Sequence, residues 1–226
     1  MDLELNGRVV LVVGGTGLIG RAIVDRLRGE GATVVPASRN PGDGVHVDAG
    51  DDASVRAALG TVLARHGRLD AVVVAAAPAA RTMDPARTAA PDAVLAAVER
   101  KAIAFLRVAG AALPAMVAAG HGRIVGISGQ NAFVTGNVAG SVRNAALIVA
   151  AKNLADSVAG TGVTINTVSP GPVSDAPARE VPAGRGGESS PEQVADLVAF
   201  LVSPRSGAIS GESIAVGHRV RGTTSL

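Results

Sequence analysis

Short, valine-rich runs with almost no polar interruption recur along the chain, separated by longer stretches of helical periodicity. The runs fall at 8–13, 33–37, 71–76, 123–127, 164–168 and 213–216. Continuous apolarity, in place of alternation, is what strands covered on both faces of a parallel sheet require. The helical stretches fall at 18–28, 53–65, 92–118, 139–158 and 191–201. In the fourth, Leu147, Ala151, Leu154 and Val158 form a stripe along one face. Regular alternation of this kind predicts an α/β fold with a doubly wound sheet and right-handed crossovers. Residues 174–190 break the pattern with Pro177, Pro182, Gly184, Gly186 and Gly187, which predicts a flexible surface loop. No internal repeat is present, and 226 residues fit a single domain spanning 1–226.

Composition narrows the core and the partners. Only Phe105, Phe133 and Phe200 are aromatic, so alanine and valine must fill the interior. A net charge of +2 without a run of like charges argues against nucleic acid or an acidic membrane as partner. The absence of cysteine excludes disulfides, thiolate metal sites and thiol catalysis. The four histidines lack metal-ligand spacing, so no metal is expected. The longest apolar run, 71–80, is half the length of a membrane span, and Met1-Asp-Leu-Glu-Leu does not resemble a secretory signal. A soluble cytoplasmic protein is expected.

The chemistry begins at V-V-L-V-V-G-G-T-G-L-I-G, residues 9–20. Gly14, Gly17 and Gly20 lie where a strand turns into a helix. Without side chains there, the backbone N–H groups around Thr16, Leu18 and Ile19 can approach a pyrophosphate, and the helix directs its positive end at it. At the end of the second strand stand Ser38 and Arg39. An acidic residue there would bind the adenosine ribose and repel a 2′-phosphate, whereas an arginine fork suits that phosphate. NADP is therefore favoured over NAD, the alternative being that Arg39 is a solvated loop cation. Asp48, with Ala49 beside it, is placed to meet the adenine amino group.

These elements resemble the short-chain dehydrogenase/reductase family over about 7–217. The supports are the glycine loop, Val47-Asp48, Gly67-Arg68-Leu69-Asp70, Leu113-Pro114-Ala115-Met116 with Gly122-Arg123-Ile124-Val125, Asn166-Thr167-Val168-Ser169-Pro170-Gly171, and the pair Phe200-Leu201-Val202-Ser203 and Ile209-Ser210-Gly211-Glu212. The resemblance implies a Rossmann-type parallel sheet of about seven strands in the order 3-2-1-4-5-6-7. It also implies nucleotide contacts from Ala75, Ala76, Pro170, Gly171 and the N–H of Val173. Relatives pair through their two long helices, implying a homodimer or homotetramer.

The same resemblance exposes a loss. The family acts through an Asn, a Ser, a Tyr and a Lys, yet this chain has no tyrosine. The aligned positions hold Lys101 for asparagine, Gly129 for serine, Gly140 for tyrosine and Asn144 for lysine. Ser128 sits one residue early, and on a continuing strand it would face the wrong side. The fourth-strand motif is altered to Val74-Ala75-Ala76-Ala77. Lysine and asparagine have traded places, so the Lys101 ammonium can enter the vacated pocket, where desolvation would lower its pKa. The alternative is a lysine on the helix surface. Gln130, Asn131, Phe133 and Arg143 are candidate substrate contacts, with a solvated or interface role as the alternative for Arg143. Three functions remain open: an NADP-dependent oxidoreductase of a small carbonyl or alcohol using Lys101, Ser128 and Asn144; a dehydratase, isomerase or cyclase on the same scaffold; and a non-catalytic subunit pairing with an active relative.

Overall fold

The computed structural model of the protein describes residues 1–76 and 84–224. Ala77, the last position of the altered fourth-strand motif, lies outside the described residues. The elements in chain order are β1 (Val9–Val13), α1 (Leu18–Gly29), β2 (Thr33–Ser38), β3 (Val45–His46), α2 (Asp52–His66), β4 (Ala71–Val74), α3 (Pro91–Val98), α4 (Ala104–Ala118), β5 (Gly122–Ile127), α5 (Val138–Ser157), β6 (Val163–Pro170), α6 (Pro191–Val202) and β7 (Ser213–Val216). The strands form one seven-stranded sheet, β3-β2-β1-β4-β5-β6-β7, and every pair is parallel.

Each strand's apolar run divides between two cores. On β1, Val9, Leu11 and Val13 face Phe105, Val108 and Leu147, which belong to α4 and α5. Val10 and Val12 point the other way, onto Ile23 and Leu27 of α1 and Val198 and Leu201 of α6. Alternating side chains therefore all find apolar partners, which accounts for the lack of alternation in the sequence. The two-residue β3 is too short to leave a hydrophobic signature.

The helix expected over 92–118 runs unbroken from Pro91 to Ala118, but it is not α-helical throughout. Between α3 and α4 lies a π-helical turn, Glu99–Ile103. The extra residue in a wider turn shifts the register of the side chains, and Lys101 and Ala102 are buried in it. Together Pro91–Ala118 are long and apolar enough to cross a membrane by composition, with mean hydropathy 1.5. In this fold Phe105, Val108, Ala109, Ala112 and Met116 bury that apolarity in the protein's own core.

The start of the sheet is fixed by one carboxylate. Asp70, 4% exposed, accepts hydrogen bonds from the Val9 N–H (2.8 Å), Arg8 Nη1 (3.0 Å) and Arg68 Nε (2.8 Å). Burial pushes its pKa up, but the bonds from Arg68, Val9 and Arg8 outweigh this and hold it below the usual carboxylate value. Its stabilising contribution is therefore complete above that usual value and is lost as pH falls through the lowered one. Asp70→Asn should cost about 1–3 kcal/mol at neutral pH. In urea melts at successive pH values, the gap between the two proteins should close toward strongly acidic pH. A gap that does not change with pH would contradict this role.

Candidate functional site: a glycine cradle and a buried lysine

The crevice opens where the chain, having wound outward from β1 to β3, returns to the sheet centre at β4. Gly14 turns the chain there with φ +85°, and a Cβ on it would stand 2.7 Å from the Ala76 nitrogen. A Cβ on Gly20 would stand 2.0 Å from the Gly14 carbonyl oxygen, so α1 can approach the loop only without one. Gly17 is the N-cap of α1; no side chain caps this end and its first turn has no acidic residue. The positive pole of the helix is thus left available to an anion.

Beside this cradle is a cavity of about 510 Å³. Its walls include Gly14, Thr16, Gly17, Ser38, Arg39, Asp48, Ala49, Ala75 and Ala76, all singled out in the sequence. Leu18, Ile19 and Gly20 form the first turn of α1 just behind it. Arg39 is exposed and enters no ion pair among the described residues. One oxygen of Asp48 accepts from the Gly50 N–H at 2.9 Å.

The cavity also takes Val47 of the Val47-Asp48 motif, and Val13, Gly50, Glu99, Arg100 and Ala104, which the sequence reading did not single out as contacts. Glu99 and Arg100 arrive through the π turn, which left no pattern in the sequence to find them by. The Glu99 carboxylate pairs with Arg107 Nη2 at 2.6 Å, a guanidinium it shares with Asp52, while Arg100 adds a second cation to the wall that holds Arg39. An uncapped helix N-terminus at one end and two guanidinium groups on the walls fit the phosphates of a dinucleotide.

A second cluster forms where β5 ends. Lys101, 7% exposed, donates from Nζ to the Ser128 carbonyl at 3.0 Å. Ser128 Oγ donates to the Asn144 carbonyl on α5 at 3.1 Å. β5 has ended at Ile127, so Ser128 escapes the strand alternation and turns its hydroxyl to α5. Asn144 is 3% exposed, and its Oδ1 has no hydrogen-bond partner among the described residues. The exchanged lysine and asparagine thus both adjoin Ser128, and the surface alternative for Lys101 is excluded by its burial. That burial, with the Arg143 charge nearby, pushes the Lys101 pKa down to about 7. Arg143 is itself 4% exposed, which removes its solvated alternative.

The other candidates diverge. Pro170 closes β6 and Gly171 follows it; the bridge between Val173 and Ser189 uses the Ser174 N–H and the Pro172 carbonyl, leaving the Val173 N–H outside it. Asn131 is half-buried in the 3₁₀ turn Gln130–Phe133, and Arg219 lies over the exposed Phe133 ring at 5.1 Å. Gln130 does not face an open pocket. Its amide is 3% exposed and donates to the carbonyls of Val216 and His218, both at 3.2 Å.

A parallel sheet in this order, with a glycine loop at its switch point, defines a Rossmann-type nucleotide-binding fold. The chain belongs to the short-chain dehydrogenase/reductase family of NAD(P)-binding oxidoreductases; the enoyl-(acyl carrier protein) reductase family profile matches residues 17–218. It is similar to the 3-oxoacyl-(acyl-carrier-protein) reductase of Escherichia coli, 29% identical with 95% of this chain and 97% of that protein covered. It is also 29% identical to the D-threitol dehydrogenase of Mycolicibacterium smegmatis, covering 95% and 93% of the two chains. The ligand-free aldohexose dehydrogenase of Thermoplasma acidophilum shares the fold, with TM-score 0.83, 23% identity and coverage of 100% and 99%.

Because Lys101 titrates lower folded than unfolded, the unfolded chain binds the extra proton between about pH 7 and the ordinary lysine value of 10.5. The penalty for burying the charge is complete below that window and vanishes above it. Lys101→Met, which keeps the volume and removes the charge, should therefore be more stable than the native protein at neutral pH and below. The difference should shrink as pH rises through the window. Chemical denaturation across that range checks it, and a difference independent of pH would contradict a buried, titrating amine.

Proposed function

We propose that this chain is an NADP-preferring oxidoreductase of a small carbonyl compound or alcohol, in which Lys101 moves the proton that a tyrosine moves in relatives. The observation that carries this reading is the Lys101 amine, buried at the end of β5 and poised at about 7. Near neutral pH both its forms are populated, as general acid–base catalysis needs.

Gly14, Thr16, Gly17 and the first turn of α1 would hold the pyrophosphate. Arg39, with Arg100, would hold the 2′-phosphate, Ser38 and Asp48 with Ala49 the adenosine, and Ala75, Ala76, Pro170, Gly171 and Val173 the remainder. When bound, the nicotinamide supplies or accepts the hydride. In reduction, the protonated Lys101 gives its proton to the substrate oxygen as negative charge develops there, and is left as the neutral amine. In oxidation the neutral amine takes the hydroxyl proton. Ser128 steers Lys101 through its carbonyl, while the orphaned Asn144 Oδ1 offers an acceptor to a water or a substrate hydroxyl. Asn131 and Phe133 would stand beside the mouth, and the loop 174–190 would cover it.

The exposed apolar side chains Leu95, Val142 and Val149 on α3 and α5 support assembly of this protein with copies of itself through those helices. A soluble cytoplasmic setting fits this reading, as does a single domain.

NADPH should raise the melting temperature more than NADH does at equal concentration. Arg39→Asp should remove about tenfold or more of the NADPH affinity while sparing that for NADH. Equal shifts by both nucleotides would overturn the preference, and no shift by either would overturn the cradle. Lys101→Ala should abolish turnover of carbonyl substrates with NADPH binding intact; unchanged turnover would remove the lysine from the mechanism, and a native protein that binds NADPH but turns over nothing would point to a non-catalytic role.

A further inference from the structure

Gln130 is hydrogen-bonded to backbone carbonyls at the end of β7 and in the tail and packs against the 174–190 loop, and the way these segments meet gives it a task. Its Nε2 donates to Val216 at the end of β7 and to His218 in the tail beyond it. Its Oε1, without a hydrogen-bond partner among the described residues, lies against Gly186 of the 174–190 loop, where a Cβ would come within 2.3 Å.

Three more glycines complete a seam around this amide. A Cβ on Gly171 would stand 2.1 Å from the Gly187 carbonyl oxygen, and one on Gly217 would stand 2.3 Å from the same atom. A Cβ on Gly187 would stand 2.6 Å from the His218 nitrogen. The end of β6, the loop and the tail thus touch backbone to backbone, a closeness that only glycine permits.

Hydrogen bonds run along the same seam. Gly171 N–H donates to Val216 at 3.2 Å, Gly187 N–H to His218 at 2.7 Å and Gly184 N–H to Arg221 at 2.8 Å, while Arg221 N–H returns to Arg185 at 3.0 Å. The loop in turn braces the segment after β6, since Ser189 N–H donates to Pro172 and Ser174 N–H to Ser189, both at 3.0 Å.

We propose that Gln130 is a positioning residue, which joins the end of β6, the loop 174–190 and the tail 217–222 into one unit and thereby sets the nicotinamide half of the nucleotide site. This rests on the proposed nucleotide reading. Gln130 touches neither the cradle nor the cavity beside it; none of its partners is among the cavity walls. It acts through Pro170–Val173, so its loss should weaken only ligands that extend beyond the adenosine half.

Gln130→Met keeps the volume and removes both donors. The two carbonyls it releases keep other donors, Gly171 N–H on Val216 and Gly187 N–H on His218, so the fold should survive. Gly186→Ala presses on the same amide from the loop side, as an independent variant. Calorimetry with NADPH and with 2′,5′-ADP, a probe of the adenosine half alone, is paired with hydrogen exchange on the native protein and both variants. Both variants should weaken NADPH about tenfold and leave 2′,5′-ADP within about twofold. Amides of 184–189 and 217–222 should exchange faster together. Equal weakening of both ligands, or unchanged NADPH binding, would overturn the proposal. A native protein that binds 2′,5′-ADP but not NADPH would also overturn it. If the native protein binds neither, the nucleotide reading fails separately. The union of the three segments then stands if both stretches speed up together in the variants and falls if they do not.

Discussion

A lysine amine is held inside this protein at the end of β5, with a neighbouring guanidinium and no carboxylate paired to it among the described residues. Burying such a charge is costly, and the group meets the cost by giving up its proton near neutrality. Three elements must cooperate to hold it there. The π turn carries Lys101 inward, the end of β5 presents the Ser128 carbonyl, and α5 fixes Ser128 by taking its hydroxyl.

The nucleotide end of the crevice follows a different constraint, the absence of side chains. Backbone approaches backbone at Gly14 and Ala76, and again at Gly20 and Gly14, so that the uncapped N-terminus of α1 lies directly against the loop. The sheet makes this possible because β1 and β4 are adjacent while their connections leave in opposite directions. The same device recurs away from the cavity walls, where Gly171, Gly186, Gly187 and Gly217 close around Gln130. The protein thus has two glycine seams, one at the nucleotide crevice and one that holds the end of β6, the loop and the tail together.

Much of this was legible in the residue pattern. Uninterrupted valine runs demanded a sheet covered on both faces, and the strand order followed from a family resemblance whose motifs are spread along nearly the whole chain. Glycine spacing and Arg39 marked the cradle because their function depends on residue type at fixed positions. The π turn was not legible, since the three charged residues Glu99-Arg100-Lys101 between two apolar helices read equally well as an exposed turn of ordinary α-helix. One consequence, the second cation Arg100 in the cavity, was hidden with it, whereas the inward aim of Lys101 was expected from its exchange with Asn144. Gln130 was misread for a related reason: a polar residue after a strand reads as pocket lining, and only tertiary contact reveals that its donors are already engaged with β7 and the tail.

The neutral lysine is the hinge of the whole account, and it can be observed directly. Carbon-13 labelling at the lysine Cε positions, with the Lys101 resonance assigned by its loss in Lys101→Met, reports that amine's titration. The account predicts a midpoint near 7. A Lys101 resonance that stays in the protonated position up to the ordinary lysine value of 10.5 would contradict it.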